Sequence, residues 1–180
     1  MSLYKKQKGA KPAIEDVASE FLDADKTAAI LELVKFIRAN KIGIQWATTN
    51  SWALNYKGKR LGYIKIHEHA DDIKRHQQDG SWSSPGNRIW RFTHNRLHLD
   101  KYYSMEDCDL KTFVFDHIYA KTCGSGDLCQ CNPNAQKAGY MNSTGCGCWP
   151  LRIFNPNGEA LEKTKRLIEF RKNCILEDSK

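Results

Sequence analysis

A Cys- and Gly-rich stretch between Cys123 and Cys148 is the sequence feature that most restricts how this chain can fold. It holds five of the seven cysteines and few apolar residues. A segment this polar cannot build a core of its own, and Zn²⁺ supplies folding energy to such segments when four thiolates surround it. The sequence therefore predicts one structural zinc site here. The candidate ligands are Cys123, Cys129, Cys131, Cys146 and Cys148.

The spacing of these cysteines leaves other interpretations open. They include two Cys-x-Cys pairs, whereas the familiar structural zinc pattern is Cys-x-x-Cys. If the cysteines bind no metal, the thiols are either reduced and without a role, or part of a disulfide or redox pair. Nucleophilic catalysis needs a thiol beside a base, and Cys123 with His117 is the pair we single out. Because no other catalytic motif is present, we lean against an enzyme.

Hydrophobic periodicity outside this stretch predicts an α+β fold. Residues 28–41 repeat apolar side chains at helical spacing, and residues 51–67 alternate around a turn at Lys57-Gly58. We expect an antiparallel sheet of four or five strands packed against two or three helices. The predicted helices are at about 25–40, 109–120 and 159–175, and the predicted strands at about 44–47, 51–57, 61–67, 88–93 and 96–99.

The size of the chain fits one globular domain. With 180 residues and 41% hydrophobic content, it can bury a core without metal or disulfide support. We predict a flexible basic tail at 1–12 and a single α+β domain at 13–180 that includes the Cys-rich loop 123–149. No apolar run reaches the roughly 18 residues that a membrane span requires, and the first residues lack the apolar region of a secretory signal. We therefore expect a cytoplasmic protein with no membrane partner.

The net charge of +7 places nucleic acid among the candidate partners. As an alternative function, a basic sheet face would bind DNA or RNA. Its residues would be Lys57, Lys59, Arg60, Lys65, Arg88 and Arg91. The lysines of the N-terminal tail carry no motif, and a charge excess alone describes many solvated surfaces.

The aromatic residues suggest the function that we favour at this stage. Five tryptophans and seven tyrosines exceed the needs of one small core. We expect Trp52, Trp82 and Trp90 to line a pocket on a sheet face for an unidentified small molecule or protein partner. The pair His67 and His69 ends a strand at a charged loop, so solvation explains these two side chains better than metal binding.

Two strings carry a resemblance to known proteins. One is Tyr56-Lys-Gly-Lys-Arg60, and the other begins at Asn155-Pro-Asn-Gly-Glu-Ala-Leu-Glu162 after the Cys/Gly-rich loop. Together they resemble small uncharacterised bacterial proteins of unknown function. The resemblance implies an α+β sandwich and a cytosolic bacterial setting, and it implies no activity.

Overall fold

The computed structural model describes residues 3–67, 89–94, 101, 105–117 and 151–178. Within them the chain forms five helices and a five-stranded antiparallel sheet of order β1-β2-β3-β4-β5, which confirms the predicted α+β class. The elements in chain order are α1 (Leu3–Ala10), α2 (Ile14–Phe21), α3 (Ala24–Ala39), β1 (Gly43–Thr48), β2 (Ser51–Tyr56), β3 (Lys59–His67), β4 (Ile89–His94), α4 (Cys108–Asp116), β5 (Arg152–Phe154) and α5 (Gly158–Glu177).

The chain divides into two compact units. The first combines residues 1–93 with 153–180, and the second comprises residues 94–152. The first unit holds α1, α2, α3, α5 and the first three strands, and the second holds α4. The prediction of a single domain over 13–180 stays a prediction.

The first three strands form two successive hairpins. β1 and β2 pair antiparallel with Thr48 opposite Ser51, and β2 and β3 with Tyr56 opposite Lys59. The second turn is Lys57-Gly58, and both residues have positive φ, at 46° and 75°. Two consecutive positive φ angles are the geometry that matches the twist of paired strands, and glycine adopts it without strain. The predicted turn is therefore confirmed.

One face of this three-stranded part belongs to the core. Trp52 lies opposite Trp46 on β1 and Ile64 on β3, so the three side chains share a face. Trp52 and Ile64 are 1% and 0% exposed. The Trp52 indole Nε1 donates to the Pro12 carbonyl at 2.9 Å, which ties the connection between α1 and α2 to this face.

Helix α3 begins at an N-cap. The Asp23 carboxylate accepts a hydrogen bond from the Lys26 backbone N–H at 2.9 Å and another from Lys26 Nζ at 2.5 Å. Asp23 is therefore the N-cap of the helix. The side chains spaced for one helical face are buried, as predicted. They are Ile30, Leu33, Val34 and Ile37.

Helix α5 lies beside α3 with the same direction. Lys165 Nζ bonds to Glu32 on α3 at 2.5 Å, and Lys172 Nζ to Asn40, the C-cap of α3, at 3.0 Å. The residue numbers of the two contacts increase along both helices, which is why the helices run in the same direction. The buried residues of α5 include Leu161, Leu167 and Ile168, so the predicted helix at 159–175 is confirmed.

The second unit contains α4, whose start differs from the prediction. The predicted start is at about 109, but the helix begins at Cys108. The Leu110 N–H donates to the Asp107 carboxylate at 3.0 Å, so Asp107 caps the helix. Leu110, Phe113 and Val114 are buried, and this spacing is that of one helical face.

Three further predictions concern a strand, the Cys-rich loop and the N-terminal tail. The predicted strand at 96–99 and the Cys-rich loop 123–149 lie outside the described residues. The stretch expected to be a flexible tail at 1–12 contains helix α1.

We predict that the Asp23 cap makes the free energy of unfolding depend on pH in the acid range. The side-chain and backbone hydrogen bonds from Lys26 hold the pKa of Asp23 below its ordinary value. A carboxyl whose folded pKa is lowered stabilises the fold above its unfolded pKa and loses this effect as pH falls through the folded pKa. The advantage of wild type over Asp23→Asn should therefore be largest near neutral pH and shrink below about pH 4. Urea denaturation across pH measures it, and a difference that stays constant down to acid pH would contradict the assignment.

Candidate functional site

Helix α1 and the residue that follows it form a short segment whose charged residues are all basic. Residues 3–11 include four lysines and no acidic residue. An isolated helix of eight residues is not stable in water, because its few hydrogen bonds do not offset the free-energy cost of nucleating the first turn. Contacts with the rest of the fold must therefore hold α1 in place.

The main contact is a pair of hydrogen bonds between Gln7 and Asn50. The Gln7 amide nitrogen donates to the Asn50 side-chain oxygen at 2.5 Å, and the Asn50 backbone N–H donates to the Gln7 side-chain oxygen at 2.8 Å. Gln7 is 6% exposed and Asn50 is 1% exposed. Asn50 sits in the β1–β2 turn with a φ of 50°, and its carbonyl accepts from the Ile66 N–H. Gln7 thus fixes α1 to a turn that the sheet itself holds.

A second contact joins the rings of Tyr4 and Trp46. Their centroids are 6.4 Å apart with an interplanar angle of 35°. Trp46 lies on β1, which is an edge strand of the sheet. Tyr4 keeps 46% of its surface exposed despite this contact. One part of the ring therefore packs on the protein while the remainder faces solvent.

The lysines surround this anchored face. We call Lys5, Lys6, Lys8 and Lys11 the α1 lysine surface; all four are exposed. At about 100° per residue, Lys8 lies on the side of Tyr4 and Lys6 on nearly the opposite side of the helix, so this surface extends around α1. Lys8 follows Tyr4 by one helical turn, and its ammonium lies 5.9 Å from the Tyr4 ring centre. The Lys11 N–H donates to the Gln7 carbonyl at 2.7 Å, and the positive φ of Lys11, 45°, ends the helix at this residue.

Three lysines of α3 and α5 have a different environment. Lys26 pairs with Asp23, Lys163 with Glu159, and Lys165 with both Glu32 and Glu162. Within the part of the chain that the structure describes, no carboxylate pairs with Lys6, Lys8 or Lys11, and the same holds for Lys35 on α3. The charges of Lys6, Lys8 and Lys11 are therefore not balanced by a neighbouring carboxylate.

The structure does not bring the predicted basic sheet residues onto one face. Lys59 pairs with Tyr56, and Arg60 pairs with Asn55, so Lys59 and Arg60 lie on opposite faces. Tyr56 is on the face covered by α5, where Lys172 Nζ lies 5.5 Å from its ring centre. Lys57 occupies the turn, Lys65 and Arg91 each have an interaction partner, and Arg88 lies outside the described residues.

Arg60 is already engaged within its own hairpin. Its Nε donates to the Asn55 side-chain oxygen at 2.7 Å, and its Nη1 donates to the Tyr63 hydroxyl at 2.5 Å. The guanidinium carbon lies 4.8 Å from the Tyr63 ring centre. These contacts satisfy part of the donor set of Arg60, which makes it a weaker candidate for a phosphate than an unpaired lysine.

The predicted aromatic pocket does not lie on an open sheet face. Trp52 is 1% exposed and Trp90 is 0% exposed, so both rings are core groups. The Trp90 backbone N–H donates to the Asn155 side chain at 2.8 Å, and its carbonyl accepts from the Asn155 N–H at 2.9 Å. Trp82 lies outside the described residues.

The predicted metal ligands cannot be placed by the structure. Cys123, Cys129, Cys131, Cys146 and Cys148 all lie outside the described residues. Within the described ranges, no three His, Cys, Asp or Glu side chains come together in a metal-binding group. Cys108 is exposed and Cys174 is buried, and both are free thiols.

His117 is the last described residue before the Cys-rich loop. Its Nδ1 is 2.8 Å from the Phe113 carbonyl. Since a carbonyl only accepts, Nδ1 carries the proton and Nε2 is the nitrogen left for a proton or metal. The pairing of His117 with Cys123 stays a prediction.

Two observations bear on identity. Comparison of the chain with protein-family models, with curated proteins and with solved structures found no match. The resemblance to small bacterial proteins therefore stays a prediction. Among the described residues, no helix has the length and apolar content needed to cross a membrane.

Sequence reasoning does not find the α1 lysine surface, because it predicts a flexible tail at 1–12. The signal that could have found it is the absence of any acidic residue before Glu15, combined with Tyr4 and Gln7 among the lysines. The uncharged residue between Lys6 and Lys8 is Gln7, and its side chain is the one that docks α1 against Asn50.

We predict that Gln7→Ala releases α1 without unfolding the core. The substitution leaves the buried Asn50 N–H and side-chain oxygen without these two partners, at a cost of about 1–3 kcal/mol. Hydrogen exchange followed by mass spectrometry should show lost protection in peptides covering α1 and retained protection in α3.

The matched control is Gln45→Ala, because Gln45 is an exposed glutamine on β1. Its α1 peptides should exchange as in wild type. Equal exchange of α1 in the two variants would contradict the anchoring role of Gln7.

Proposed function

We propose that this chain is a nucleic-acid-binding protein that holds phosphate groups on the α1 lysine surface. The observation that supports it is an exposed set of lysines without local carboxylate partners for Lys6, Lys8 and Lys11, on a helix fixed by Gln7. A polyanion gains affinity from such a set by counterion release.

The energetic cost of this surface supports a binding role. Lys5 and Lys8 are three residues apart on α1, and like charges at this spacing destabilise a helix by a few tenths of a kcal/mol. Lys5 and Lys6 also lie in the first turns, where the helix dipole disfavours positive charge. A surface that needed only solubility would gain it from mixed charges, as on α3 and α5.

A nucleic-acid site on α1 differs from the two sites expected from the sequence, which are an aromatic pocket and a basic sheet face. Trp52 and Trp90 are buried, so an aromatic sheet face for a small ligand has lost two of its three residues. Lys59 and Arg60 lie on opposite sheet faces, so the basic sheet face is divided. Nucleic-acid binding is retained from the sequence, and its site moves to α1.

We predict that the triple variant K6Q/K8Q/K11Q binds nucleic acid weakly. With a fluorescent single strand of about 20 nucleotides, fluorescence anisotropy across salt concentrations measures the affinity and its salt slope. Loss of three phosphate contacts should lower the magnitude of the log–log slope by about 2 and weaken binding about tenfold or more.

Two other triple variants serve as controls. K35Q/K41Q/R166Q removes the same charge in and beside α3 and α5 and should change affinity much less. K57Q/K59Q/K65Q tests the predicted sheet face. The proposal is wrong in its site if the sheet-face variant loses more affinity than the α1 variant, and wrong altogether if wild type binds no nucleic acid.

We further propose that the Cys-rich loop holds one structural Zn²⁺. Five cysteines are concentrated in 123–148, which supports this site. Neither Cys108 nor Cys174 forms a disulfide, so neither takes one of these five cysteines as a disulfide partner. The ion would stabilise the loop and take no part in phosphate binding.

We predict about one zinc per chain by elemental analysis of the purified full-length protein. Cys129→Ser and Cys146→Ser should each reduce the zinc content, whereas Cys108→Ser, at an exposed thiol, should leave it unchanged. A metal-free protein in which all seven thiols react with a thiol reagent would refute the site. Fewer reactive thiols without metal would favour a disulfide or redox pair.

A further inference from the structure

Tyr4 is the one large hydrophobic side chain that is exposed among the described residues. Two other tyrosine rings, those of Tyr56 and Tyr63, are half-buried and contact cations, Lys172 on α5 for Tyr56 and Arg60 on the same strand for Tyr63. A single exposed aromatic side chain is ordinary by itself. The position of Tyr4 within the α1 lysine surface is what requires an explanation.

The Tyr4 ring is held in place before any ligand arrives. Its contact with Trp46 fixes one part of the ring, and the Gln7–Asn50 bonds fix the helix that carries it. Stacking on a fixed ring costs little conformational entropy, which is why aromatic side chains serve as platforms for unpaired bases.

Lysines continue from the ring in one direction. Lys8 lies one turn beyond Tyr4 and Lys11 a further turn beyond, which places them about 6 and 10 Å along the helix axis. The ammonium of Lys8 is 5.9 Å from the Tyr4 centroid, at the outer limit of a cation–π contact. Such a weak contact is easily replaced, so Lys8 can turn to a phosphate while a base occupies the ring.

Building on the proposed function, we infer that the nucleic acid bound at α1 is single-stranded, with one base stacked on the Tyr4 ring and the adjoining phosphates on Lys8 and Lys11. In a duplex the bases are stacked on each other, and an exposed ring beside the phosphates has no base face to meet. An anionic membrane is the less suitable partner, because an interfacial helix needs a broad apolar face and the inward side of α1 carries Gln7.

The test compares four probes with the full-length protein by anisotropy and titration. They are a single strand of about 20 thymidines, a duplex of equal length, heparin, which is a polyanion without bases, and anionic vesicles that contain phosphatidylserine. Tyr4→Leu should weaken binding of the single strand at least about fivefold, and Tyr4→Phe should retain it. Affinity for heparin should be the same in all three proteins.

A second measurement does not depend on a variant. Irradiation of wild type with a 5-bromouracil-substituted single strand should yield a cross-linked peptide that contains Tyr4. Hydrogen exchange of the α1 peptides in Tyr4→Leu shows whether the helix remains docked.

Three outcomes would overturn the inference. The first is equal loss of single-strand and heparin affinity in Tyr4→Leu with α1 still docked. The second is tighter binding of the duplex than of the single strand, and the third is preferential binding to anionic vesicles. If K6Q/K8Q/K11Q still loses nucleic-acid affinity while Tyr4→Leu does not, the proposed function survives and the stacking role of Tyr4 fails.

Discussion

The paired hydrogen bonds between Gln7 and Asn50 are the interaction on which the proposed site depends. An eight-residue helix rich in like charges does not persist by itself, so its position is set by the side chain that it buries. Gln7 uses both ends of its amide on one residue, Asn50, whose positive φ is fixed by the β1–β2 turn. The sheet therefore determines where the lysines of α1 point.

The sheet can serve this purpose because its tryptophans are used for packing. Trp52 crosses from β2 to the Pro12 carbonyl, immediately after the α1 lysine surface, and Trp46 supports the Tyr4 ring. The same strands thus fix both ends of the N-terminal segment. Aromatic residues that looked numerous enough for a ligand pocket are largely accounted for by this docking and by the core.

Much of the fold could be predicted because periodicity reports burial directly. Ile30, Leu33, Val34 and Ile37 specify the buried face of α3, and Lys57-Gly58 specifies a hairpin turn. The α1 site could not be predicted in this way, since its position depends on one glutamine meeting an asparagine 43 residues later. The division of Lys59 and Arg60 between two faces follows from the alternation of side chains along a strand and could have been predicted. The register shift between Leu54 and Asn55, which places Arg60 on the face of Lys65, could not.

The magnitudes explain how α1 can be both docked and ready to bind. Two buried hydrogen bonds contribute about 1–3 kcal/mol when the cost of leaving them unmade is included. Repulsion between lysines three or four residues apart removes only a few tenths of a kcal/mol per pair. The repulsion is therefore small beside the hydrogen bonds that dock α1, and a bound polyanion that removes it would hold the helix more firmly. Binding and docking are then linked, and each strengthens the other.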